Sequence, residues 1–93
     1  MVVNYHCSDL ICRNLIKYEK NIQKCRILII DNSSDFLLPD YLKHSKSIQV
    51  IQMEENVGFG KGCNEGLLWI YNQNPEALVW LLNPDTFLSD ETL

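Results

Sequence analysis

Ala77-Leu78-Val79-Trp80-Leu81-Leu82-Asn83-Pro84-Asp85-Thr86 is the stretch on which the reading of this chain turns. An unbroken apolar run stops abruptly at Asn-Pro-Asp. Such a run, bounded by turn signals, reads as a strand over about 77 to 82, buried on both faces of a parallel sheet. Pro84 has no N–H for a ladder and pushes Asn83 toward extended backbone, so the strand ends here. Asp85 then stands at the carboxyl end of the strand, the edge where open α/β sheets bind their ligands. A carboxylate in that place, beside Thr86, can ligate a hard divalent cation that also grips a diphosphate. The plainer reading is a turn in which Asp85 caps the backbone.

The same grammar recurs upstream. Ile27-Leu28-Ile29-Ile30 is an all-apolar strand that ends in Asp31-Asn32-Ser33-Ser34. Val2-Val3 begins a short first strand that stops at Asn4-Tyr5-His6. Between these two strands, Leu10, Ile11, Leu15, Tyr18 and Ile22 recur at helical spacing, with Ser8 as N-cap and Asp9 in the first turn. This predicts a helix over about 8 to 22. Pro39 to Lys43 reads as a short helix with proline in its first turn. Ile48-Gln49-Val50-Ile51 is a third strand, placed nearer an edge by Gln49. A helix from Gly62 to about Asn72 precedes the last strand and is stopped by Gln73-Asn74-Pro75. Ser89-Asp90-Glu91 opens another. The whole reads as β-α-β-α-β-α-β, an α/β Rossmann-like unit with a mainly parallel sheet and helices on both faces.

Length and composition set the limits. The 93 residues suit one small domain. A formal net charge of -4 argues against a nucleic-acid surface, so no nucleic-acid partner is expected. The apolar runs fall far short of the roughly 20 residues of a membrane span, and Met1-Val2-Val3 carries no basic leader. Cys7, Cys12, Cys25 and Cys63 form no Cys-x-x-Cys pair. Reduced thiols are expected over disulfides, and over zinc held by Cys7, Cys12 and His6.

The strand ends at Asn4-Tyr5, Asp31 and Asp85 share one rim, and the crevice should open beside the first strand, where strand order reverses. Tyr5 offers stacking surface or fills the core. Asp31 either accepts from a base or ribose or closes an Asx turn into Asn32-Ser33. Gly58-Phe59-Gly60-Lys61-Gly62 lacks the spacing of a phosphate loop. Its glycines either let the helix start pack closely or bring Lys61 and Asn64 to face a diphosphate at the helix N-terminus. His6 and His44 have no Ser or Cys partner that argues for nucleophilic catalysis, and Glu54-Glu55 reads as a solvated pair.

Four segments resemble the N-terminal, donor-binding half of family 2 glycosyltransferases of GT-A fold, the bacterial rhamnosyltransferase-like members above all. Val2-Val3-Asn4-Tyr5-His6 is similar to V-x-V-N-Y-N, and Ile30-Asp31-Asn32-Ser33-Ser34 to V-D-N-x-S. The run from Glu55 to Gly66 is similar to E-N-x-G-F-[AG]-x-G-x-N-x-G. Leu82-Asn83-Pro84-Asp85-Thr86 is similar to the L-N-P-D-T form of the D-x-D metal motif. The resemblance implies a UDP- or dTDP-linked sugar as donor, bound by Val3, Asn4, Tyr5, Asp31, Lys61, Asn64 and Asn83. It implies Mg²⁺ or Mn²⁺ on Asp85, with the metal acting as a Lewis acid toward the leaving diphosphate.

The family's catalytic base lies downstream of the D-x-D motif, in an acceptor half not found in these residues, so no catalytic residue is assigned. The expectation is therefore a single truncated nucleotide-sugar-binding domain over 1–93, not catalytic alone. It would serve cell-envelope polysaccharide synthesis in the cytoplasm, or peripherally at the inner face of the membrane. The alternative is a non-catalytic nucleotide- or partner-binding module, a truncated or split-enzyme fragment. A homodimer or a partner chain through an exposed sheet edge is expected as well.

Overall fold

The computed structural model describes residues 1–16, 25–40 and 43–86. Three parallel strands form its sheet: β1 (Val2–Asn4), β2 (Ile27–Asp31) and β3 (Ile48–Gln52), in the order β1-β2-β3. Two helices accompany them, α1 (Ser8–Asn14) and α2 (Phe59–Gln73). The register sets Asn4 opposite Asp31 and Asp31 opposite Gln52, so the carboxyl ends of all three strands lie level. Among the described residues β3 pairs only with β2, at the edge position that Gln49 foretells.

Alternation along the strands divides the core in two. Val2 and Ile29 face one side, where they pack with Ile11 of α1, with Leu15 and Ile16 just after it, and with Ile48. Val3, Leu28 and Ile30 face the other, against Cys63 of α2. Helices therefore cover both faces, as the two-sided apolar strands require. Ile11, Ile29 and Ile30 are wholly buried, a contribution of about 1.5–3 kcal/mol each. α2 comes close to the sheet through its glycines. A Cβ on Gly66 would lie 3.0 Å from Ile30 Cδ1, and one on Gly62 would lie 3.6 Å from Ile30 Cγ2.

Several expectations need correction. Cys7, not Ser8, holds the N-cap position of α1. Ser8 is the first helical residue, and its hydroxyl accepts the Leu37 N–H at 3.1 Å. No side chain caps the helix; Asn4 Oδ1 accepts the Cys7 N–H at 2.9 Å, just ahead of its first turn. The predicted helix residues beyond 16 lie outside the described residues, as do 41–42 and the segment at 89–91. Of the short helix expected over 39–43, Asp40 is in 3-10 conformation, and 41–42 lie outside the described residues. A turn there brings the Lys43 N–H to the Asp40 carbonyl at 3.2 Å. α2 begins at Phe59, three residues before the predicted start, because Gly58, at φ 83°, turns the chain into it.

The largest departure is the last strand. Residues 77–81 are neither buried nor paired in a ladder, and Leu82 alone bridges Val2, in parallel. Leu78 is fully exposed and Trp80 is 54% exposed. The physical reason is register. With Leu82 opposite Val2, residues 77–81 run ahead of the first residue of β1, and no strand among the described residues lies beside them. The Leu82 N–H to Met1 carbonyl bond (2.9 Å) and the Met1 ammonium to Trp80 carbonyl bond (2.8 Å) tie the segment to the start of β1, and the Ala77 N–H bonds back to the Asn74 carbonyl at 3.1 Å. Among the described residues, no helix is long and apolar enough to cross a membrane.

Candidate functional site

At the carboxyl rim of the sheet, beside β1, lies a cavity of about 390 Å³. Val3 lines it from β1, and Tyr5 and Cys7 follow from the turn after that strand. Asn56, Gly58 and Phe59 come from the loop leading into α2. Asn83 and Pro84 come from the segment that Leu82 anchors against Val2, and Asn32 comes from the end of β2. This is the switch point of the topology, since β1 has β2 on one side and the Leu82 segment on the other.

Two aromatic rings stand open in the wall, Tyr5 at 54% and Phe59 at 55% exposure. They offer flat apolar surface on which a base can stack. Asn32 is the buried polar group of the wall. Its Nδ2 donates to the Gly58 carbonyl at 3.0 Å, while its Oδ1 is buried with no hydrogen-bond partner among the described residues. Leaving such a carbonyl unpaired costs roughly 1–3 kcal/mol. None of the lining side chains is a carboxylate, an imidazole or a cation.

The strand ends are tied together beneath this cavity. Asn4 Nδ2 donates to Asp31 Oδ1 at 2.9 Å, and also faces Ser33 Oγ (3.2 Å) and Asp35 Oδ1 (3.0 Å). Asp31 Oδ1 further accepts the Ser33 N–H, and its Oδ2 accepts the Phe36 N–H at 3.0 Å. Asp35 accepts from the Ser33 hydroxyl and from His6 Nδ1, the latter at 2.7 Å. The Ser33 hydroxyl, and after it the His6 ring, holds the Asp35 carboxyl below the usual carboxylate range. His6 itself sits at φ 56°, with its N–H on Ser33 Oγ.

The sequence profile described as glycosyl transferase family 2 matches residues 2–93. The chain belongs to that family. The parallel sheet and its two covering helices are those of the Rossmann-like half of a GT-A fold. The comparisons found no matching curated protein and no matching solved structure.

Of the glycosyltransferase residues singled out from sequence, Val3, Tyr5 and Asn83 meet at the cavity. Asn4 and Asp31 lie beneath it, buried, with their side chains engaged in the protein. Asp31 makes the Asx-type bonds of its alternative reading, and the neighbouring Asn32 is among the lining residues. Lys61 and Asn64 are exposed on the first turns of α2 and do not line the cavity, while Gly62 there packs on Asn32 and Ile30.

Asp85 is exposed in the turn after Pro84, where the Thr86 N–H bonds to the Asn83 carbonyl at 3.0 Å. Among the described residues no cluster of three or more His, Cys, Asp or Glu side chains could hold a metal by itself. A single free carboxylate at the rim still fits a hard cation whose other ligands are diphosphate oxygens and water.

Asn32, Phe59 and Asp35 were missed. Phe59 had a signal, since an aromatic between two glycines has little around it to bury it. Asn32 and Asp35 had none that separates them from turn residues.

Proposed function

We propose that this glycosyltransferase-family chain binds the nucleoside-diphosphate sugar donor in the cavity beside β1, and that its reading as a complete catalyst is the weaker one. The observation that carries this is the pair of exposed rings, Tyr5 and Phe59, in the wall of the cavity at the carboxyl rim beside β1. A nucleoside base supplies the flat partner on which these rings can stack. Asn83 and Pro84 lead from the cavity to Asp85, so a diphosphate running outward along them reaches its carboxylate.

Mg²⁺ or Mn²⁺ on Asp85 would neutralise the diphosphate and the charge that develops on it as the sugar departs. Asn83 lies on the diphosphate path, and Lys61 is the nearest cation in sequence to the loop of Gly58 and Phe59. Asn4 and Asp31 hold the two strand ends at fixed separation, which orients Tyr5 and Asn32. The lining described here contains no general base for an acceptor hydroxyl, which is why donor binding is proposed and not unaided transfer. The L-N-P-D-T form of the motif favours the rhamnosyltransferase-like branch and cell-envelope polysaccharide synthesis at the cytoplasmic side.

Amide NMR titration with UDP and with dTDP, each with and without Mg²⁺, tests the proposal. Shifts centred on Tyr5, Asn32, Phe59 and Asn83 are expected. Asp85→Ala should remove the magnesium-dependent part of the affinity while leaving the spectrum dispersed. A folded wild-type chain that responds to neither nucleotide overturns the reading.

A further inference from the structure

The Tyr5 ring stands 54% exposed in the cavity wall. A ring that open presents a stacking face to a ligand when a neighbour fixes its direction. That neighbour is His6, whose ring centroid lies 4.5 Å from the Tyr5 centroid, with the two planes tilted by 55°. Aromatic pairs favour this separation and a tilted arrangement. His6 is itself held at two points. Its backbone N–H donates to Ser33 Oγ at 2.9 Å, and its Nδ1 lies 2.7 Å from Asp35 Oδ2. Asp35 is anchored in turn, because its Oδ1 accepts from Asn4 Nδ2 at 3.0 Å and from the Ser33 hydroxyl. The Tyr5 carbonyl accepts the Cys7 thiol hydrogen, with the sulfur at 3.1 Å. The ring pair is thereby linked, through Asp35 and Asn4, to the buried bond that joins β1 and β2.

The chemistry of the Asp35 contact fixes the state of the imidazole. Hydrogen bonds from Ser33 and His6 keep the Asp35 carboxyl ionised at neutral pH, and a carboxylate only accepts. The hydrogen in this bond therefore belongs to His6 Nδ1, which leaves Nε2 as the nitrogen that gains or loses a proton. The pair is solvent-exposed and adds little to stability, so its consequence lies in where it sets the ring. We propose that His6 is a positioning residue for the nucleoside: its ring braces the Tyr5 ring in the stacking direction, and Asp35 holds the imidazole against it. The inference rests on the nucleoside reading above and deepens it. His6 is not among the residues that line the cavity; it acts through Tyr5.

UDP with Mg²⁺ is the probe, and the variants are His6→Asn, Asp35→Ala and Tyr5→Ala. Asparagine tolerates the φ of 56° found at His6, so His6→Asn removes the ring and keeps the turn. It should weaken UDP binding roughly threefold to tenfold, the worth of one aromatic pair. Asp35→Ala should weaken it in the same direction. In a Tyr5→Ala background, His6→Asn should change the affinity by less than about twofold, because a brace with no ring to hold has no effect. Unchanged affinity in either single variant, or an equal loss from His6→Asn with and without the Tyr5 ring, overturns the proposal.

A ligand-free measurement separates this inference from the donor reading. In the wild type at mildly alkaline pH, imidazole nitrogen shifts should place the His6 hydrogen on Nδ1, and proton contacts should connect the two rings. Asp35→Ala should release the tautomer and weaken those contacts. A His6 hydrogen on Nε2, or rings without mutual contacts, sinks the brace whatever UDP does. Failure of the wild type to bind UDP, with the ring contacts present, rejects the donor reading and the positioning role with it. Binding that ignores His6→Asn rejects the role alone.

Discussion

Asn4 Nδ2 and Asp31 Oδ1 lie 2.9 Å apart and join the carboxyl ends of β1 and β2 directly beneath the cavity. Both residues are at most 3% exposed, so neither can exchange this partner for water. Asp31 collects its remaining bonds from the backbone of Ser33 and Phe36, and Asn4 accepts the Cys7 N–H. The pair therefore fixes where two loops leave the sheet.

Removing either member should expose that dependence. Asp31→Asn turns one acceptor oxygen into an NH₂ that faces donors, and should cost about 1–3 kcal/mol in urea unfolding. Asn4→Ala should cost a similar amount. The double variant should lose at least about 0.5 kcal/mol less than the sum, because the two singles break one network. Strict additivity would show that the pair does not act as a unit.

The two glycine contacts of α2 should separate cleanly. Gly66→Ala drives a methyl against the Met1 sulfur and to within 3.1 Å of both Ile30 Cγ1 and Cδ1. Overpacking of this kind should destabilise by about 1–3 kcal/mol. Gly60→Ala meets nothing and should stabilise by about 0.5–1 kcal/mol through helix propensity. Thermal melts of the two variants moving in the same direction would contradict this packing.

His6 offers a test of backbone strain. At φ 56° it occupies a region that asparagine tolerates and β-branched residues do not. His6→Asn should change stability by less than about 1 kcal/mol, since the ion pair it loses to Asp35 is solvent-exposed. His6→Val should cost roughly 1–2 kcal/mol from left-handed strain. Equal stability of the two variants in chemical denaturation would refute the account.

Stability should also fall at alkaline pH. Burial pushes the Cys63 thiol above its ordinary value of 9.0. The folded chain then holds a proton that the unfolded chain releases. The contribution is complete below pH 9.0 and is lost as pH rises through the raised folded value. Cys63→Ala should flatten the alkaline limb of a stability–pH curve. An unchanged limb would place the titration elsewhere, with Cys12, also raised by burial, the next candidate.

Much of this protein was legible in its residues. The apolar run at 27–30 and the pair Val2-Val3 announce two-sided strands, because only strands covered on both faces dispense with alternation. The rim and the switch point follow from parallel connectivity. The run at 77–82 has the same composition and still was misread as a buried strand: hydrophobicity cannot report whether a neighbouring strand extends far enough to pair with it. Ser8 does not cap α1 for a related reason, since its hydroxyl is taken by the Leu37 N–H, 29 positions away.

The sequence by itself determined the family, the parallel α/β order and the rim at which the site forms, because motifs and periodicity are local properties carried by consecutive residues. Only the tertiary structure decided that Asp31 turns inward to tie β1 to β2, while Asn32 is buried with its amide nitrogen on the Gly58 carbonyl. That choice depends on Asn4, Phe36 and Gly58, and a hydrogen bond between residues 26 or 27 positions apart leaves no mark on the spacing of the chain.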